Sequence, residues 1–221
     1  MRRDLGFPLA RAPDGRGGNL LPGGLVRRRL VAVAALALLA GCMSGPPSDS
    51  EDLCKIFEER PRWHRAATAA EKRWRIPTPV MMAVVYKESS YVAKARPPRG
   101  RLLGVVPWKR ASSAYGFAQA TDEAWSDYLR ETRNRSSDRD DFADAIDFVG
   151  WYLNRSHRHL GIAPADARNL YLTYYAGMGG YSRGTWRNNE WLKDAAARVA
   201  TRASRYERQL GGCRALDRRR R

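Results

Sequence analysis

The 221-residue chain has only three histidines and three cysteines. His157 and His159 stand two apart, which on a helix points them to different faces, and no His, Cys and carboxylate cluster has the spacing of metal ligands. Neither a metal nor a cofactor is therefore expected. Gly177-Met178-Gly179-Gly180 is glycine-rich but lacks the lysine and hydroxyl residue of a phosphate loop, so it reads as a turn. A Gly-x-Ser-x-Gly nucleophile elbow is missing too. No convincing run of alternating apolar and polar residues occurs, which argues against a sheet protein. Acidic residues are scarce, 23 against 40 Lys and Arg, and the formal net charge of +17 favours polyanions and anionic surfaces. The longest apolar stretch, residues 30–40, is roughly ten residues and too short to span a membrane.

That stretch follows Arg27, Arg28 and Arg29 and ends in Leu39-Ala40-Gly41-Cys42, the pattern of a secretion signal. The last four residues resemble a lipobox, which implies cleavage before Cys42 and acylation of that cysteine; an ordinary signal peptide with a chance cysteine is the alternative. Several acyl chains give durable membrane attachment where one does not. Met43, rather than an aspartate, after the lipidated cysteine favours the outer membrane. Residues 1–24, rich in Pro, Gly and Arg, fit poorly ahead of a signal, and translation could start near Leu25 or Val26. Setting aside residues 1–41 removes seven arginines and two aspartates, which leaves about +12 on about 180 residues, enough for one domain with a substantial core. In an exported chain the remaining cysteines, Cys54 and Cys213, point to a disulfide, with two free buried thiols as the alternative. Nucleic acid is not an expected partner outside the cytoplasm.

The remainder divides into a tether (residues 42–50), a folded domain (51–213) and a basic tail (214–221). The domain reads as mainly α. Residues 62–74 are Ala-rich and charged, and Ile76-Pro77 ends that segment. Thr78-Pro79 predicts a helix start, a capping hydroxyl followed by proline, for an apolar helix that runs to Ser89. Phe142, Ile146, Val149 and Leu153 recur at helical spacing, as do Leu192, Ala195, Ala196, Val199, Ala203, Tyr206 and Leu210, with Gly211 as a natural stop. Residues 96–113, rich in Pro, Gly and basic residues, predict a long loop with at most a short hairpin around Leu102 to Val106.

Glu88 shares a helix face with Met81, Val84 and Val85, so its carboxyl should point into the protein or a cleft. Burial and the negative end of the helix dipole both disfavour its anion, which suits a general acid. A surface glutamate at a frayed helix end is the alternative.

Three stretches then follow in order: Glu88-Ser89, Gly116-Phe117-Ala118-Gln119 and Tyr174-Tyr175-Ala176-Gly177. Over roughly residues 76–184 the chain resembles the soluble lytic transglycosylase and goose-type lysozyme group, and the final helix with Tyr206 fits as well. The resemblance implies a lysozyme-like helical domain with Glu88 as acid and base. It implies that Ser89 bonds near the cleaved sugar or holds the site's shape, that Gly116 to Gln119 form the cleft wall with the Gln119 amide offered to the saccharide, and that Tyr174 approaches the sugar or Glu88. Tyr115, Tyr175 and Gly177 complete the implied binding set, and Trp108, Trp186 and Trp191 offer flat faces for sugar rings. Tyr175 stands where the group commonly has Asn, and Phe117-Ala118 replaces Leu-Met.

The activity so implied is cleavage of peptidoglycan glycan strands by one carboxyl group, with the substrate supplying its own nucleophile. The expected molecule is a monomeric envelope lipoprotein on the periplasmic face of the outer membrane. Asp122 and Glu123 read as the acidic first turn of a helix through Trp125, Tyr128 and Leu129, although a second carboxyl from them would make a hydrolytic lysozyme. A non-catalytic protein that binds glycan or scaffolds partners, and a basic lipoprotein that coats anionic surfaces, stand as alternatives from other classes.

Overall fold

The structure, a computed structural model, describes residues 45–102, 106–110 and 112–213, and for 99–102 and 106–110 the backbone alone. The signal segment, Cys42, the Trp108 side chain and the basic tail lie outside the described residues. Among the described residues there are seven helices and one hairpin: α1 (Leu53–Glu59), α2 (Pro61–Trp74), α3 (Thr78–Ser89), β1 (Arg99–Leu102), β2 (Val106–Arg110), α4 (Asp122–Thr132), α5 (Phe142–Leu160), α6 (Ala167–Ser182) and α7 (Glu190–Gly211). β1 and β2 pair antiparallel, the short hairpin that the long loop allowed for. The fold is mainly α, in agreement with the sequence reading.

Helix starts follow from short polar side chains. Asp52, Thr121, Asp141, Asp166 and Asn189 each accept a backbone N–H of the first turn of α1, α4, α5, α6 and α7. α3 departs from its predicted start. Pro77 occupies the cap position, while the Thr78 hydroxyl donates to the Ala67 carbonyl (3.3 Å) and the Thr78 N–H is taken by Glu71 Oε2 (3.0 Å), so α2 rather than Thr78 itself caps the helix. At the far end α7 runs through Gly211 and stops at Gly212.

α3 is the central helix. Every residue from Val80 to Val85 is at most 3% exposed, because α2, α5 and α7 all pack around it. Full burial of such side chains is worth about 1.5–3 kcal/mol each, so the helix that carries Glu88 in its last turn is among the most firmly held. Asp147 ties α2, α4 and α5 together by accepting from Trp74 Nε1 (2.7 Å) and the Tyr128 hydroxyl (2.9 Å) and by pairing with Arg73 (3.0 Å).

Cys54 and Cys213 form a disulfide, with their Cα atoms 5.6 Å apart. Residues 45–50, expected to be part of a loose tether, are docked instead. Pro47 is buried, Ser48 donates from both its N–H and its hydroxyl to Glu59 (2.9 Å each), and the Ser50 carbonyl accepts from Tyr206. Their own composition disfavours a core, but α1 and α7 supply the partners.

Candidate active site

Glu88 is the next-to-last residue of α3, and Oε1 of its carboxyl is buried without a hydrogen-bond partner. Loss of hydration penalises the anion and pushes the carboxyl from its ordinary 4.5 up to about 7, against the opposing pull of the Tyr171 hydroxyl and the Lys87 charge. A carboxyl poised there holds its proton for much of the time at neutral pH and can give it up, which general acid and base work requires.

Tyr171 and Tyr174 lie one turn apart on α6 and so share a face. Burial, reinforced by the nearby Glu88 carboxylate, keeps both phenols protonated well beyond the usual range. The Tyr174 hydroxyl donates to the Ala118 carbonyl at 2.6 Å, and its ring meets Tyr152 edge-on at 5.1 Å.

The turn from Tyr115 to Ala120 is held by its backbone. Gly116 N–H donates to the Ala95 carbonyl (3.0 Å) and Phe117 N–H to the Arg139 carbonyl (3.1 Å). Gly116 has φ +82°, and a Cβ there would stand 2.0 Å from the Arg139 carbonyl oxygen, so only glycine fits.

Several implied roles change once these contacts are seen. The Gln119 amide donates to the Ala95 and Gly116 carbonyls (2.9 and 2.8 Å), so its N–H groups brace the turn rather than reach a saccharide. Phe117 is a core residue in edge contact with Trp63 and Phe142, both at 5.5 Å, because its side chain points away from the turn's open side. Tyr115 donates to Asp140 (3.0 Å) and lies under the Arg96 guanidinium (4.2 Å). The Ser89 hydroxyl donates to the Val85 carbonyl (3.1 Å) and so serves the helix end, the second of its two implied roles. Trp186 stacks on Tyr181 at 5.8 Å.

A groove of about 410 Å³ opens beside this turn. Gln119, Tyr174, Tyr175 and Gly177 line it, as the motif positions implied, and Gly177 bends α6 there through φ +72° and ψ +157°. Glu88 is not part of the lining, contrary to the open groove expected in front of its carboxyl. Its link to the groove is Tyr174, whose side chain lines the wall and whose phenol lies in the field of the carboxylate. Phe148, Trp151 and Tyr152 of α5 also line it, three residues outside the periodic set that the sequence offered for this helix. Tyr171 also escaped the motif reading, although a tyrosine one turn before Tyr174 is the signal that finds it.

Asp122 and Glu123 begin α4 behind the Thr121 cap; Asp122 pairs with Arg139 (2.8 Å), and Glu123 and Asp127 line the groove. Among the described residues the one group with metal-ligand atoms close together is Cys54, Glu58 and Cys213, and its cysteines are joined to each other. A family model described as transglycosylase SLT domain matches residues 30–213. No curated protein and no solved structure matches the chain.

Proposed function

This chain belongs to the transglycosylase SLT-domain family, and from that membership we propose that it is a lytic transglycosylase that cuts the β-1,4 bond between MurNAc and GlcNAc in peptidoglycan without consuming water. The observation that carries the reading is the buried Glu88 carboxyl, with Oε1 unpartnered and its proton held up to about pH 7. Glu88 protonates the glycosidic oxygen, the bond to the muramyl C1 breaks, and an oxocarbenium-like centre forms with the muramyl N-acetyl group assisting. The Glu88 carboxylate then takes the proton of the MurNAc 6-hydroxyl, whose oxygen closes on C1 to give a 1,6-anhydro ring. Glu88 ends the cycle protonated, as it began.

Tyr171 and Tyr174 stay neutral throughout; the Tyr171 hydroxyl favours the charged form of the acid when the proton has left, while the Tyr174 hydroxyl is held by the Ala118 carbonyl. Signal cleavage before Cys42 and lipid attachment there would hold the domain at the membrane, next to its polymer.

Hydrolysis by a lysozyme-like route is the second reading, favoured by Glu123 and Asp127 in the groove wall. One experiment separates the two. Purified sacculi are digested with the protein and with Glu88→Gln, and the new sugar ends are identified by mass. Anhydro ends from the unmutated protein alone are expected; reducing ends would transfer the assignment to hydrolysis, and no new ends would remove the enzymatic reading.

A further inference from the structure

Among the described residues Tyr175 and Trp191 are, at 53% and 52%, the most exposed of the large apolar side chains, and they touch, with ring centroids 5.2 Å apart. Tyr175 also lines the groove, so the pair extends that wall outward as an aromatic ledge. Lys87 Nζ lies 5.2 Å from the Trp191 ring at the ledge's far corner. Lys87 in turn lines a second hollow, of about 420 Å³, between α3 and α7.

Lys87, Arg198, Arg202 and Arg205 surround that hollow. Glu51 pairs with Arg202 (2.6 Å) and Arg205, and Arg202 is further fixed by stacking 3.5 Å over the Tyr86 ring and by donating to the Tyr206 hydroxyl (3.2 Å). These two form a rigid wall. Lys87 and Arg198 have no ion-pair partner among the described residues, so the hollow keeps two cations without a counter-charge of their own beside a prearranged pair. Cations that converge on a concavity suit a discrete anionic group; a flat basic face would suit a membrane better.

We propose that this hollow binds a carboxylate of the stem peptide carried by a muramyl residue, while a sugar of the same strand lies on the Tyr175–Trp191 ledge. The proposal rests on the peptidoglycan reading and adds to it a way of preferring peptide-bearing over naked strands. A sugar ring on an aromatic face and a carboxylate in a cationic hollow are joined through Lys87, which touches both, and Lys87 is the immediate neighbour of the acid. Placing one carboxylate there neutralises the charge that opposes a protonated Glu88, so occupancy of the hollow also favours the acid's working form.

The test is a calorimetric titration of the purified protein with a GlcNAc-MurNAc disaccharide bearing its stem peptide and with the same disaccharide lacking it. Peptide-bearing ligand is expected to bind about ten-fold more tightly, as one charge-assisted contact allows. The double variant Lys87→Gln/Arg198→Gln should lose that advantage and bind the two disaccharides equally. Arg198→Lys, which keeps the charge, should retain most of it, and an unchanged melting temperature of the double variant reports that the fold is intact. Equal binding of the two ligands by the unmutated protein, an advantage that survives the double variant, or a double variant whose one defect is loss of binding to anionic vesicles would each overturn the proposal. Binding needs no cleavage, so a protein that shows the peptide advantage yet leaves sacculi uncut would sink the lytic reading and keep the hollow, and the opposite pattern would sink the hollow alone.

Discussion

The Tyr174 hydroxyl and the Ala118 carbonyl, 56 residues apart in sequence, meet at 2.6 Å and fasten α6 to the turn that begins at Gly116. Tyr174→Phe removes this donor and leaves a carbonyl without its partner, at a cost of about 1–2 kcal/mol in a denaturant titration. Cleavage should fall with it, because the fastening also fixes the ring that forms the wall between Glu88 and the groove.

Glu88 makes stability depend on pH with a definite sign. Below 4.5 the folded and unfolded chains both keep the proton. Between 4.5 and about 7 the unfolded chain releases it while the buried group does not, so stability falls as pH rises through that window, by about 3 kcal/mol in all. Glu88→Gln should therefore abolish cleavage and be more stable than the unmutated protein at pH 8, with the gain gone at pH 4. Thermal melts of the two proteins across this range check it; equal melting at pH 8 would show a carboxyl that is not held neutral.

Tyr171 pulls in the other direction, since its hydroxyl favours the Glu88 anion. Tyr171→Phe should raise the Glu88 pKa further, and the alkaline limb of the rate against pH should move upward by about one pH unit. Rates measured on soluble glycan strands between pH 5 and 9 locate that limb. A drop in rate with an unmoved limb would reduce Tyr171 to packing.

Gly116→Ala forces a side chain into left-handed backbone and onto the Arg139 carbonyl. A loss of about 2–4 kcal/mol is expected in chemical denaturation. Because the Gln119 amide bonds back to Gly116, the groove edge should loosen as well, which proteolysis near residue 119 would report.

Much of this was legible in the amino acids, for reasons that differ by element. α3 was readable because proline fixes its start and a run of apolar side chains has to be buried, and α7 because its apolar positions recur over about five turns. Glu88 followed from its place at the end of α3. The fate of Gln119 and Phe117 was not readable, because a turn's side chains can face either way and the choice was made by Ala95, Trp63 and Phe142, far off in the chain. Gly45 to Ser50 misled for the same reason. A segment with no hydrophobic pattern of its own is ordered by Lys55, Glu59, Arg60, Arg202 and Tyr206.

The Cys54–Cys213 bridge closes a loop with a sequence separation of 159 residues, and in the simple chain-entropy treatment such a closure is worth about 4–5 kcal/mol. Reduction, or Cys54→Ala with Cys213→Ala, should lower the melting temperature accordingly without changing the Glu88 pH limb.

That bridge has a mechanical meaning too. A pull on the chain ahead of Gly45 arrives at the docking of Ser50 on Tyr206 and, a few residues later, at the covalent link to the end of α7. The load then passes from one terminus of the domain straight to the other, and the helix that carries the acid lies outside that path.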